Sequence, residues 1–447
     1  MSSVQEASRL GKFSWALFDW ANQPYFTVIT TFIFAPYFTS VVMGDPVTGQ
    51  AYWGYTQAIA GLLIALLSPV LGSIADAGGP RKPWILTFAI LCALASIALW
   101  GAVPNQGEGV IWILIAIIVG TSSIEFSLVF NNAMLPSLTT PNKMGRLSGF
   151  GWGLGYIGGL VALFIVLLGF SMPETPLFGL DKAAHEHDRI TGPMSGLWFL
   201  IFIIPMMLFT PDAIPTGVKK TAAIRKGLEN LLETIKSLKN HKNILFYLLA
   251  RMFYNDGILA LIGFSGIYAA GLFGWDTTTL GIFGILILVF AIVGSFVGGW
   301  LDDKLGSKPT IVISVLGLSV ASVGVLSISD GEVLFGLAAS MPVPDGGILA
   351  SGAEQVFMGF SFIMGFFFGP AQAASRTMVA RLSPPDHVGA FFGLFAFSGK
   401  ATAFVAPLLI GVVTSLTGQQ RPAMVVIFFL LIIGAALMSF VREPSED

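Results

Sequence analysis

Gly72-Ser73-Ile74-Ala75-Asp76-Ala77-Gly78-Gly79-Pro80-Arg81-Lys82 is a short polar stretch set between two apolar runs, and it returns downstream as Gly299-Trp300-Leu301-Asp302-Asp303-Lys304-Leu305-Gly306-Ser307-Lys308. Each copy has a glycine, an acid four residues on, a glycine three further and a cation two after that. Gly79 and Gly306 permit the positive backbone angles of a very tight turn, and Arg81, Lys82 and Lys308 would hold the turn on the side of a membrane that retains cations. Asp76 and Asp303 close apolar helices at the C-terminal end, where the dipole disfavours an acid, so both should have partners. A solvated turn obeying the charge rule is the plainer reading of either copy alone; two copies in register weaken it.

The flanking runs define the chain. Of 447 residues 55% are hydrophobic and 11% charged, and the mean hydropathy is +0.81, whereas a soluble domain carries about 25% charge. This is a membrane protein. A net charge of -2 gives no nucleic-acid footprint. The single cysteine, Cys92, lies in an apolar run and leaves no internal disulfide. A polar start, Met1 to Lys12, leads straight into a run of bilayer length, so the first span is expected to stay in the mature protein.

Apolar runs of roughly 20 residues predict twelve spans, at 14–42, 52–75, 84–103, 110–136, 147–170, 195–211, 244–271, 278–301, 309–328, 354–381, 388–415 and 422–441. Charge tests the count independently, because a missed or invented span would scramble it. Eighteen of the 23 lysines and arginines fall on the predicted cytoplasmic side; Lys182, Arg189 and Arg421 fall opposite, and Arg251 and Lys400 lie inside spans. Both termini are therefore expected in the cytoplasm, with the cell (inner) membrane as the location.

The chain also repeats itself. Leu138 to Gly145 before span five matches Leu382 to Gly389 before span eleven, and Gly149 matches Gly393. Two halves, 1–211 and 244–447, are expected around a linker at 212–243, where Ile224, Leu228, Leu231, Ile235 and Leu238 recur at helical spacing. That linker reads as a basic amphipathic helix against anionic lipid, or equally as a tether long enough to let two bundles move. Gly151, Gly155 and Gly159 in span five, and Gly294 and Gly298 in span eight, mark close helix packing.

A charge at mid-bilayer costs about 2.5 to 3.5 kcal/mol even on the lenient scale, yet several are kept. Span one carries Asp19, Asn22, Gln23 and Thr30 on one face; span four carries Thr121, Ser122, Glu125 and Asn132. Span seven has Arg251, Asn255 and Asp256, span ten Gln372, Ser375 and Arg376, and span eleven Lys400. At a rise of 1.5 Å per residue, Asp256 and Lys400 fall about 18 Å into their spans, near the midplane. Asp256, Lys400 and Glu125 are expected to face water or substrate, with Asn22, Gln23 and Asn255 as hydrogen-bonding neighbours; a structural pair of Asp256 with Lys400 is the alternative. Asp19, Arg251 and Arg376 lie nearer the cytoplasmic ends, where a gate would be. All four histidines lie outside the spans, so proton coupling would run on a carboxylate. His185-Glu186-His187-Asp188 after span five could ligate a metal, but closely spaced histidines in a polar loop read first as solvated, so no metal and no cofactor is expected. No nucleophile elbow, phosphate loop or zinc spacing occurs, which argues against an enzyme.

The paired loops resemble the signature between the second and third spans of major facilitator transporters, repeated between the eighth and ninth. The resemblance implies an all-α membrane protein of twelve transmembrane helices, in two six-helix bundles related by pseudo-two-fold symmetry. It also implies that the acids and cations latch the cytoplasmic helix ends in one access state, and that spans one, four, seven and ten line the cavity. Trp15 to Asn22, Asn131 to Pro136, Tyr254 to Gly257 and Gln372 to Arg376 resemble, more narrowly, the unknown major facilitator family, which includes the fungal vacuolar effluxer active in autophagy. That implies a permease moving a small solute by alternating access; a monomer with proton or sodium coupling is the separate expectation for its partners. Its fungal member is associated with amino-acid release. Glu125 or Asp256 would then take an ammonium, and Lys400 or Arg251 a carboxylate. A solute-sensing transceptor and a lipid flippase are the rival readings.

Overall fold

The computed structural model describes residues 6–217, 220–237, 242–275, 277–329, 331–340 and 349–443. Among them, eleven helices are long and apolar enough to cross a membrane: Arg9–Val42, Pro46–Gly78, Lys82–Gly101, Val110–Leu138, Pro141–Ser171, Glu186–Phe209, Lys242–Phe273, Thr279–Leu305, Ser307–Leu326, Gly352–Leu382 and Pro385–Thr417. These are spans one to eleven. Span twelve is Gln420–Met438, whose 19 residues extend about 28 Å at 1.5 Å per residue, close to the hydrocarbon thickness. Among the described residues the strands are a two-stranded ribbon, Glu332–Val333 against Ala338–Ala339, between spans nine and ten.

The boundaries follow local chemistry. Span two begins at Pro46 rather than near 52, because Asp45 caps it and proline suits the first helical position. Asp45 accepts from the Thr48 amide at 3.0 Å and from the Thr48 hydroxyl, contacts that hold its carboxyl below the usual carboxylate range. Span one is α-helical to Pro24 and then a π-helix over Tyr25–Phe32. Pro24 has no N–H to give the Trp20 carbonyl, and the Trp198 indole N–H takes up that carbonyl at 3.2 Å. Within that wider turn the Thr30 hydroxyl donates to Phe26 O of its own helix at 2.8 Å.

Span eleven, read as one continuous run, is broken: helix Val388–Lys400, a turn, then helix Val405–Thr417. Pro407 accounts for this, since its ring and missing N–H disrupt the carbonyl four residues earlier, within that turn.

The chain forms two compact units. Unit 1 comprises Met1–Pro141, Leu154–Lys236 and Ser383–Lys400; unit 2 comprises Asn142–Gly153, Ser237–Leu382 and Ala401–Asp447. Within unit 1 span one packs on six, three on four and six, and two on four. Within unit 2 seven packs on twelve, nine on ten and twelve, and eight on ten. Adding six to every number in the first set gives the second, which is the duplication of the sequence expressed as packing.

The linker helix, Lys220–Ser237, turns an unexpected face inward. Leu231 and Thr234 are buried while Ile224, Leu228 and Leu232 are exposed, and the Ser73 hydroxyl of span two donates to Gly227 O at 2.6 Å. Leu238 lies outside the described residues.

Candidate functional site

The two sequence loops become two equivalent constructions. In unit 1, Gly79 at φ +97 ends span two, and Asp76 has the partners its position demands. Its carboxylate accepts from the Gly389 and Ala390 amides, both at 2.9 Å, and pairs with Arg81 Nη2 at 3.0 Å. An acid badly placed at the end of its own helix thus sits at the N-terminus of span eleven, where the dipole favours it. The backbones meet: a Cβ added to Gly72 would lie 2.0 Å from Gly389 O, and one on Gly393 2.4 Å from Ser68 O. Lys82 reaches Met207 O at 3.0 Å, at the carbonyl end of span six.

Unit 2 repeats the plan. Gly306 has φ +95, and a Cβ on Gly299 would lie 2.7 Å from Gly145 O. Asp303 pairs with Arg146 Nε at 2.6 Å, its side chain 1% exposed. Lys308 reaches Val441 O at 2.7 Å beyond span twelve. The glycines that met across spans two and eleven have their counterparts across eight and five, as the repeat before spans five and eleven required.

Several residues of these constructions were not singled out from the sequence. Asp212 accepts from the Arg81 and Lys82 amides, both at 2.9 Å; Glu443 does the same for the Ser307 and Lys308 amides. Each carboxylate caps the helix that opens after its loop. The available signal was an acid just beyond the last span of each half, Asp212 and Glu443. Asp302, neighbour of the acid in the repeat, is bonded to Arg381 Nη1 at 2.7 Å, to the Ser307 hydroxyl at 2.8 Å and to the Thr377 hydroxyl.

The interior polar groups separate into two sets. Arg376, expected at the cavity or a gate, is 1% exposed and gives Nε to Ser148 Oγ at 2.8 Å and Nη2 to Ser148 O at 2.6 Å. The planar guanidinium fork matches a hydroxyl and carbonyl of one residue, and it ties span ten to the start of span five inside unit 2. Gln372 donates to Asn255 Oδ1 at 3.3 Å, and Tyr254 and Tyr247 bond Ser375. Arg251 and Asp256 are buried with them on span seven, and among the described residues Asp256 Oδ1 has no hydrogen-bond partner.

In unit 1, Asp19, Asn22 and Asn132 are buried and Gln23 half-buried. Lys400 Nζ lies 2.7 Å from Glu125 Oε1, with side chains 32% and 15% exposed. Its ammonium pairs with span four, in place of the alternative with Asp256. The break in span eleven explains its comfort there. Lys400 is the last residue of its helix segment, where the dipole favours a cation.

Twelve spans, duplicated packing and duplicated loop constructions define a membrane transporter of the major facilitator class. Solved structures agree on the fold: the proton:xylose symporter XylE, bound to 6-bromo-6-deoxy-D-glucose, superposes with TM-score 0.70 at 13% identity, over 97% of this chain and 96% of that one. The transporter FucP in its outward conformation gives 0.68 at 13% identity, covering 97% and 99%. Residues 39–445 match the family described as vacuole effluxer Atg22 like, and the chain belongs to that family. It is 28% identical to the uncharacterized MFS-type transporter YxiO of Bacillus subtilis, over 97% of this chain and 95% of that protein. It is 27% identical to autophagy-related protein 22 of Cryptococcus neoformans, over 66% of this chain and 52% of that longer protein.

Proposed function

We propose that this transporter is a secondary active permease for a small zwitterionic solute of the amino-acid class, working by alternating access between its two six-span halves. The observation that carries the reading is the Glu125–Lys400 pair, a carboxylate and an ammonium 2.7 Å apart, both partly accessible. An amino acid presents the complementary two charges. Its ammonium competes for Glu125 and its carboxylate for Lys400, so binding replaces one internal pair with two external ones. The exchange leaves no charge stranded, which matters because breaking a buried pair from one side costs about 3 to 5 kcal/mol.

Asp256, buried on span seven with one carboxylate oxygen that has no hydrogen-bond partner among the described residues, is the coupling carboxylate in this reading, loaded with a proton or a sodium ion. The membrane is the cell membrane, with both termini and the linker cytoplasmic. The exposed Ile224, Leu228 and Leu232, beside Arg225, Lys226 and Lys236, meet anionic lipid there.

Transport of labelled amino acids into proteoliposomes tests the site. Lys400→Met and Glu125→Gln should each slow transport by about ten- to a hundredfold, the equivalent of a charged hydrogen bond of about 1.5 to 3 kcal/mol. The double variant, with no charge left unpaired, should regain thermal stability and stay inactive. An undiminished rate in Lys400→Met would remove the pair from the substrate site.

A further inference from the structure

The turn that opens span six gathers three metal donors, His185, His187 and Asp188. His185 Nδ1 lies 3.0 Å from Asp188 Oδ2, His187 Nε2 lies 3.4 Å from that same oxygen, and the three atoms fall within 4.8 Å of one another. The rings stack at 5.6 Å and 22°. Their side chains are 34%, 16% and 20% exposed for His185, His187 and Asp188, so they are neither freely solvated nor sealed.

We propose that His185, His187 and Asp188 form a binding site for a divalent transition-metal ion of the zinc or cobalt type. Spacing is the first argument. An ion with bonds of about 2.0 to 2.2 Å to nitrogen and oxygen, in tetrahedral geometry, sets its donors about 3.3 to 3.5 Å apart, close to both distances to Asp188 Oδ2. Two imidazoles converging on one carboxylate oxygen can each donate it a hydrogen bond; a dication bound there takes the lone pair of each facing nitrogen, each neutral ring carrying its proton on the other nitrogen, and bonds all three groups. Two imidazoles and a carboxylate are a donor set suited to zinc, copper and nickel, and the partial exposure leaves a fourth position for water.

The scaffold supports the same conclusion. His185 adopts a left-handed conformation, φ 53 and ψ 31, which is strained for a residue with a side chain and collects at functional positions. Its ring stacks on Tyr37 at 5.5 Å, and Tyr37 is itself pinned by a hydrogen bond to Ala102 O at 2.6 Å. On the other side Arg189 donates to Trp100 O at 2.7 Å and Lys182 to Ser171 O at 2.8 Å. The two nearest cations are thus engaged with backbone carbonyls, and the imidazoles are held in place before an ion arrives. Occupied, the site staples this loop to the ends of spans one and three.

The test uses the full chain, purified in detergent with any histidine tag removed and stripped by a chelator. The chain has only four histidines, so the background is low. Titration with zinc chloride by calorimetry should give one equivalent, and cobalt chloride should give the visible bands of a tetrahedral nitrogen and oxygen site. His185→Ala, His187→Ala and Asp188→Asn should each weaken zinc at least tenfold and abolish its effect on the melting temperature. Wild-type protein without the cobalt bands, or a His185→Ala/His187→Ala variant binding zinc as tightly as wild type, overturns the proposal. The cobalt spectrum needs no variant, so a misfolded mutant cannot decide the matter.

Discussion

Asp212 and Glu443 show how much one carboxylate far along the chain contributes to a helix start. Each occupies the first-turn amides of a span opened about 130 residues away, and such caps are worth about 0.5 to 2 kcal/mol. Asp212→Ala should lower stability by about 1 kcal/mol. Glu443→Ala should cost more, because Arg381, 10% exposed, also loses the contact at 3.2 Å. Thermal unfolding in detergent, with the two variants side by side, reads the difference; equal shifts would show that Arg381 draws nothing from Glu443. The acid repeat itself was plain in the sequence. These caps were not, since nothing within several residues of either acid announces which helix it will meet.

At the scale of elements, proline and glycine decide where helices bend and touch. Pro24 widens span one into a π-helix, and Pro407 divides span eleven next to Lys400, placing the cation at a helix terminus instead of inside a continuous rod. Gly227 does the equivalent for the linker helix: a Cβ there would lie 2.7 Å from the Ile74 Cα. Gly227→Val should push the linker helix off span two and speed tryptic cleavage at Arg225 and Lys226 by about tenfold or more. Leu232→Val, on the exposed face, should leave the rate as it is. The stripe Ile224, Leu228, Leu231, Ile235 and Leu238 points to a helix here, and the side of Lys220–Ser237 that docks passes through Gly227, Leu231 and Thr234. A periodicity of apolar residues cannot see a contact made by a glycine.

For the molecule as a whole, charge asymmetry and packing tell one story at different resolutions. The lysines and arginines that divide eighteen to three by sequence include Arg81, Lys82, Arg146, Lys308 and Arg381, each of which the fold uses to tie a helix end. Cysteine labelling checks the orientation proposed here. Native Cys92 is 1% exposed and should stay silent; Lys226→Cys should react only with a reagent admitted to the cytoplasm, and Glu174→Cys with an impermeant one from outside. Labelling in the reverse pattern would invert the topology.

The sequence by itself determined the number of spans, the duplication and the acid–glycine–cation loops, because a bilayer enforces apolar length and charge asymmetry residue by residue, with little room for tertiary override. It also named Glu125 and Lys400 as charges too costly to be idle. Only the tertiary structure decided that these two pair with each other, that Arg376 bonds Ser148 at the start of span five, and that two histidines converge on one aspartate. Such pairings join groups from separate helices or fix one rotamer among many, and local pattern carries no information about which partner a buried charge will find.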